Sequence, residues 1–278
     1  MPFGISLAAF LSTFLFFSIG NLKKMSELKY LLVFVFLISL NANAGSWDSK
    51  ATQLGRTYPQ AAVVGGEFGY SQKFWNSRKS PVLYGHLRPV LRAKSSGLVN
   101  SFSTELNFAP ISFLNFSIGR RQVFRNAKKL QGLDCEKIIC DGKVKRDYLA
   151  VQFGMAYKKL YSFLQFKRAK LAHAEQQNLI ADEQSTLVYN QQQNRLKQLT
   201  FLVGLKQDPK NSYGLLYLDN EIELENSTTK TLSPFWQRSF KKWKVMTLPG
   251  IFQRSDKKRF LSLIIRAEWT FKKGLSLF

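Results

Sequence analysis

The sequence predicts an all-β fold: an antiparallel up-and-down transmembrane β-barrel of about twelve strands, behind an N-terminal signal peptide. Three observations predict it. Apolar residues alternate with small, polar or charged ones over stretches longer than the usual strand of about five or six residues. No apolar run after residue 45 approaches the roughly 20 residues of a membrane helix. Connections alternate between tight and long.

Residues 2–19 form a first apolar run, followed by Lys23 and Lys24. Residues 31–40 form a second, which follows Met25 and Lys29 and ends in Ala42-Asn43-Ala44. A basic stretch, a short apolar stretch and a small-x-small site together describe a secretory signal peptide. On this reading residues 1–24 are a mis-called upstream extension, 25–44 the signal peptide cleaved after Ala44, and 45–278 the barrel. A membrane anchor at 2–19 is the alternative for the first run.

Strands are expected to begin near 47, 61, 81, 98, 111, 146, 160, 194, 212, 231, 244 and 259. The first alternates poorly and the tenth contains Pro234, so ten strands is the fallback; closure favours an even number. In 148–158, Leu149, Val151, Phe153 and Met155 oppose Ala150, Gln152 and Gly154. In 196–206, Leu199, Phe201, Val203 and Leu205 oppose Gln198, Thr200 and Gly204. In 259–271, Leu261, Leu263, Ile265 and Trp269 oppose Ser262, Arg266 and Glu268. In 213–225, Gly214, Leu216, Leu218 and Ile222 oppose Tyr217, Asp219, Glu221 and Glu223. The apolar rows are expected to face lipid and the others the lumen. Trp75, Tyr84, Tyr148, Tyr157, Tyr161, Tyr213, Trp243 and Trp269 fall near strand ends, as an interfacial girdle would. An aromatic-rich soluble sandwich is the bland alternative.

Tight connections lie near 109–111, 158–160 and 208–212, and long polar ones at 126–145 and about 171–193. Counting back from a periplasmic C-terminus puts both long loops outside the cell.

A signal peptide, long alternating strands and a terminal Phe278 together resemble the Gram-negative bacterial outer-membrane β-barrel class. The resemblance is one of architecture and covers the whole of 45–278. It implies insertion by the barrel machinery, for which Phe278 would be the signal. The phase departs from the pattern of the class, because Ser276, Gly274, Lys272 and Thr270 occupy the alternate positions counted back from Phe278.

The 41 Lys plus Arg against 18 Asp plus Glu give +23, which implies an anionic partner. Two His and two Cys exclude a multi-His or four-Cys zinc site within one chain, and no cofactor is expected. Export to an oxidising compartment makes Cys135 and Cys140 a disulfide, a staple on one loop. His86 and His173 lack the following serine of the barrel phospholipases, so no catalytic motif is found and no enzyme is expected. His173 is expected in a loop.

Arg88, Arg92, Lys94, Arg121 and Arg266 fall on predicted lumen faces, as do Lys158 and Lys206. An Arg or Lys facing lipid at mid-bilayer would cost about 2–4 kcal/mol, so these bases belong inside. Asp219, Glu221 and Glu223 form an expected lumen acid ladder. A cationic lumen selects anions. The expected function is a small monomeric pore passing anions or small acidic solutes. The alternatives are a non-conducting barrel acting through its loops, including the Gln-rich stretch at 176–193, and a lipid hydrolase. Bases near strand ends are expected to meet outer-membrane lipids, including lipopolysaccharide. No nucleic-acid-binding motif is present.

Overall fold

The computed structural model describes residues 45–77, 79–80, 82–126, 131, 133–173, 179–190, 192, 194–222 and 227–274. Phe278, Glu223 and the proposed signal peptide lie outside these residues. The strands are β1 (Gly45–Arg56), β2 (Ala61–Asn76), β3 (Tyr84–Ser95), β4 (Val99–Ile111), β5 (Leu114–Arg125), β6 (Gly142–Tyr157) and β7 (Leu160–His173). They continue with β8 (Ile180–Ala181), β9 (Val188–Tyr189), β10 (Arg195–Lys206), β11 (Asn211–Ile222), β12 (Ser227–Ser239), β13 (Trp243–Gln253) and β14 (Arg259–Lys272).

Twelve of these close into a barrel in which every strand pairs antiparallel with its neighbour in order. β1 pairs with β14, with Thr52 opposite Glu268 and Leu54 opposite Arg266. Closure removes the edges that an open sheet of this length would leave unpaired. The two short strands β8 and β9 form a separate hairpin. The barrel strands run 11 to 16 residues, at or above the roughly 9–11 that cross a bilayer.

Alternation sets the two faces. Phe116, Ile118, Leu149, Phe153, Leu164, Phe166, Leu232 and Ile251 are exposed on the outside. Ser103, Asn107, Ser117, Ala150 and Thr229 between them are buried on the inside. An apolar belt on this scale would be a severe liability in water and is what a strand set facing acyl chains requires.

The two ends of the barrel differ. At one end lie the tight turns, such as Ser112-Phe113 and Lys158-Lys159. Lys158 therefore stands in a turn at φ 53°, and the expectation that it lines the lumen is corrected. Outward aromatics gather at this turn end: Trp75, Tyr157, Tyr213, Trp236, Trp243 and Trp269. Tyr84, Tyr148 and Tyr161, expected in the girdle, face inward instead, Tyr148 toward Glu105 and Tyr161 toward Ser212. The rings of Trp243 and Trp269 lie 4.3 Å apart. At the other end are the long connections, and there the outward face carries cations.

Pro234 of β12 and Pro249 of β13 face each other across a break in the ladder. Pairing runs from Lys230/Gln253 to Leu232/Ile251 and resumes at Trp236/Thr247 in the same register. Two prolines supply no N–H there, so the strand is kept but its hydrogen bonds are locally lost.

Candidate functional site: the lumen and its inward hairpin

The inner wall holds two charged assemblies. The first joins β14, β1, β2, β3 and β4. Arg88 donates from Nε to Asp48 Oδ2 at 3.0 Å and also bonds Asp48 Oδ1. Its Nη2 reaches Glu67 at 2.7 Å. Arg92 donates to Glu67 at 2.6 Å and meets Glu105 at 2.8 Å. Tyr148 donates to Glu105 at 2.7 Å, and Asn107 does so at 2.9 Å. Lys50 stands 3.5 Å from Glu67, and Arg266 stands 2.8 Å from Glu268.

Glycine makes room for this assembly. A Cβ on Gly69 would fall 2.8 Å from Arg88 Nη2, and one on Gly119 would fall 2.5 Å from the Tyr148 hydroxyl. Each cross-strand side chain lies over a residue that must have none. Toward the turn end a neutral layer follows, in which Asn115 Nδ2 donates to Asn107 and Gln152, both at 3.1 Å.

The second assembly is built by residues 179–190, within the β7–β10 connection, which lie inside the lumen. Ile180, Ala181, Leu187 and Tyr189 of the hairpin are buried. They pack with inward side chains of the wall: Val123 of β5, Val144 of β6, Leu171 of β7, Leu196 of β10 and Ile222 of β11. The polar anchor is Arg146 of β6, which meets Asp182 at 2.6 Å and also bonds Glu183. All three side chains are at most 7% exposed. Arg125 adds bonds to the carbonyls of Ala181 and Asp141, the latter at 2.8 Å.

Asp182 itself is held from two sides. Burial pushes its carboxyl up, but the Arg146 charge and the Ser185 hydrogen bonds outweigh this and hold it below the usual carboxylate range. The Ser185 hydroxyl donates to it at 2.6 Å and the Ser185 amide at 2.8 Å, which closes the hairpin turn. Burial and the neighbouring Asp182 charge push the Tyr189 phenol up.

Cys135 and Cys140 are joined by a disulfide. Their loop flanks the hairpin: the Ile139 amide donates to the Leu179 carbonyl at 2.8 Å, and the Ala181 amide donates to the Ile139 carbonyl at 3.0 Å. The staple thus rests directly on the inward segment.

Between the two assemblies stand three inward cations. Lys94 is exposed on the lumen wall. Arg121 bonds the Ser101 hydroxyl at 3.0 Å. Lys167 lies 3.9 Å above the Tyr148 ring. No carboxylate of the described residues stands within ion-pair distance of any of them. Arg121 lies directly across from Arg146, so the hairpin carboxylates lower a local concentration of positive charge but do not cancel it.

The predicted bases therefore divide. Arg88, Arg92 and Arg266 face the lumen and are ion-paired; Lys94 and Arg121 face the lumen without a carboxylate. The acid ladder is corrected. Asp219 lies opposite Lys230 on the outer face and pairs with it at 3.6 Å. Glu221 pairs with Lys197 at 3.0 Å, also outside. The lumen face of β11 instead carries Leu216, Leu218 and the buried Ile222. Sequence reasoning missed Asp182 and Glu183, and it counted Arg146 among the strand-end bases that meet lipid, whereas Arg146 is buried in the lumen. The signal for the hairpin was Ile180-Ala181 and Leu187-Val188-Tyr189, two short apolar stretches inside an otherwise polar loop.

His86 is buried in the lumen toward the turn end, its ring 5.6 Å from that of Tyr84. His173, expected in a loop, ends β7 at the opposite end and is buried there. The two histidines do not share a site.

No protein-family model and no curated protein matches this chain. Among solved structures it is similar to the KdgM porin, at TM-score 0.43 and 10% identity, over 81% of this chain and 99% of that one. It is also similar to LpxR from Salmonella typhimurium, at TM-score 0.40 and 8% identity, over 81% and 99%. The translocator domain of the autotransporter NalP from Neisseria meningitidis matches at TM-score 0.33 and 12% identity, over 88% and 96%. Likenesses this distant carry no functional weight. The barrel rests on its own closed pairing.

Proposed function

We propose that this protein is an outer-membrane channel whose cationic lumen passes small anionic solutes past an inward hairpin. The apolar belt and the aromatic turn end support the membrane setting. The observation that carries the function is the set Lys94, Arg121 and Lys167. Each is an inward cation, with no carboxylate within ion-pair distance among the described residues. Charge inside a low-dielectric wall attracts the opposite sign strongly. The hairpin packs on the β5–β7, β10 and β11 wall. Across the lumen Lys94 is exposed and the Arg266 side chain is 44% exposed, so the path runs along that side.

The test is a planar-bilayer recording on protein purified from outer membranes. Stable conductance steps and a reversal potential favouring anions are expected. Lys94→Gln with Arg121→Gln should move that potential toward zero and leave heat-sensitive gel mobility unchanged. A folded barrel that never conducts would overturn the channel. The second reading would then take its place: a barrel sealed by its hairpin, anchored by the buried Arg146, Asp182 and Glu183, that acts through its loops.

A further inference from the structure

The turn end of the lumen opens into a chamber of about 520 Å³, within the range of small-molecule sites. Its floor is the Arg88 and Arg92 assembly, in which Asp48, Glu67 and Glu105 are already engaged by arginine. On one wall Asn107, Asn115 and Gln152 bond one another and carry no charge. The wall across from them is built by β13, β14 and the turn before β13, and it carries lysine.

Alternation decides which lysines these are. Trp243, Trp269 and Phe271 are exposed on the outside, so Lys244 and Lys272 between and beyond them face inward and line the chamber. Lys241 and Lys242 of the turn border its mouth. Lys244 stands opposite Glu268 in the ladder, but Glu268 pairs with Arg266 at 2.8 Å and with Lys50 at 4.0 Å. No carboxylate of the described residues lies within ion-pair distance of Lys241, Lys242, Lys244 or Lys272. Facing the lumen, Lys244 and Lys272 are also out of reach of lipid headgroups. The neighbouring turns offer no relief. Residues 158–159 and 207–210 add Lys158, Lys159 and Lys210 against Asp208, and Asp208 accepts from Asn211 within its own turn at 2.8 Å. Positive charge thus converges on one low-dielectric chamber.

We infer that this chamber binds a compact anion of three or more negative charges, a tricarboxylate or an oligophosphate. Convergent lysines without carboxylate partners exceed what a monoanion can satisfy and suit a polyvalent one. Lysine is a point charge that lacks the planar fork of arginine, and the arginines of the floor are occupied, so the ligand is selected by charge number rather than by shape. Lys94 and Arg121 stand beyond the Arg88 and Arg92 assembly, toward the loop end, which makes the chamber a separate station on the same route. The inference rests on the channel reading for that route, whereas binding itself needs no current.

The test is isothermal titration of full-length protein in a neutral detergent, at fixed pH and ionic strength, with acetate, succinate, citrate and inorganic tripolyphosphate. Citrate and tripolyphosphate should each bind one per barrel, at least about tenfold more tightly than succinate, with acetate weaker still. Lys244→Gln with Lys272→Gln should remove that advantage, and Lys244→Arg with Lys272→Arg should keep it. Lys170→Gln with Lys230→Gln deletes the same two charges from the outer face at the loop end and should leave it unchanged. Heat-sensitive mobility checks that each variant is folded. If the inward double variant fails to fold, Lys241→Gln with Lys242→Gln in the turn must still weaken citrate binding. Equal binding of all four anions, tight binding of only one of the two polyvalent anions, or indifference to the lysine variants would overturn the inference. A parallel bilayer recording separates the two readings. Binding by a barrel that never conducts removes the channel and keeps the chamber, and conduction without binding does the reverse.

Discussion

The barrel neutralises arginine in two places and does so by different means. Around Arg88 and Arg92 every partner belongs to the wall itself: Asp48 on β1, Glu67 on β2 and Glu105 on β4. Around Arg146 the partners are Asp182 and Glu183, carried by a connection that folds inward. Wall-to-wall pairs fix the cross-section of the lumen, because neither partner can leave without breaking a strand ladder. The hairpin is tied by apolar packing and one buried ion cluster, and either can fail while the barrel stays closed. The same chemistry is therefore a brace in one place and a fastening in the other.

The largest way to break this contrast is Arg146→Met. It leaves Asp182 and Glu183 buried and uncompensated, a loss of about 3–5 kcal/mol when one partner of a buried pair is removed. The hairpin should leave the lumen, with conductance rising and protease cleavage near residue 184 increasing. Strand content by circular dichroism should stay the same. Glu67→Gln, the matching change in the wall, should leave the hairpin protected and instead lower the unfolding temperature of the barrel. Equal protease sensitivity in the two variants would erase the distinction.

Reduction of the disulfide should act next, and on the hairpin side alone. A five-residue separation closes a small loop, for which chain entropy gives about 2 kcal/mol. Cys135→Ser with Cys140→Ser should speed hydrogen exchange at Ile139 and Ala181, whose amides bridge the staple and the hairpin. Exchange in β2 and β3 should not change.

Acid sharpens the comparison further. The Asp182 carboxyl lies below its usual value, so it contributes stability that is full above the unfolded value near 4 and is lost as pH falls through the folded value. Hairpin protection should be flat from pH 8 to about 5 and fall only in stronger acid. A transition near neutral pH would mean that another group governs the fastening.

Much of this fold was legible in the sequence, and the failure on β11 has a physical source. Twelve barrel strands were expected, the first and tenth only weakly, because alternation persists wherever one face meets lipid and the other meets polar groups. The outward rows of β6, β10 and β14 follow that rule. On β11 the rule breaks. Tyr213 and Leu215 face out, yet Leu216, Leu218 and Ile222 face in, and Ile222 is buried under the hairpin. A lumen that holds a packed segment needs apolar residues of its own. Both faces of β11 are then apolar, and the acids become the only cue to direction. They pointed the wrong way because a carboxylate at a strand end can face outward once a lysine stands opposite it.

The smallest expected effect tests that correction. Asp219→Asn with Glu221→Gln removes two outer pairs whose side chains are 25% and 41% exposed. Exposed pairs of this kind contribute about 0–1 kcal/mol. Thermal stability should therefore hardly move, and neither should the reversal potential. Were these carboxylates in the lumen, deleting two negative charges from the permeation path would raise anion preference measurably. An unaltered potential beside the lowered one of Lys94→Gln would place the acids outside and the lysine inside by a single kind of recording, and would locate the selective surface on the wall that the hairpin leaves bare.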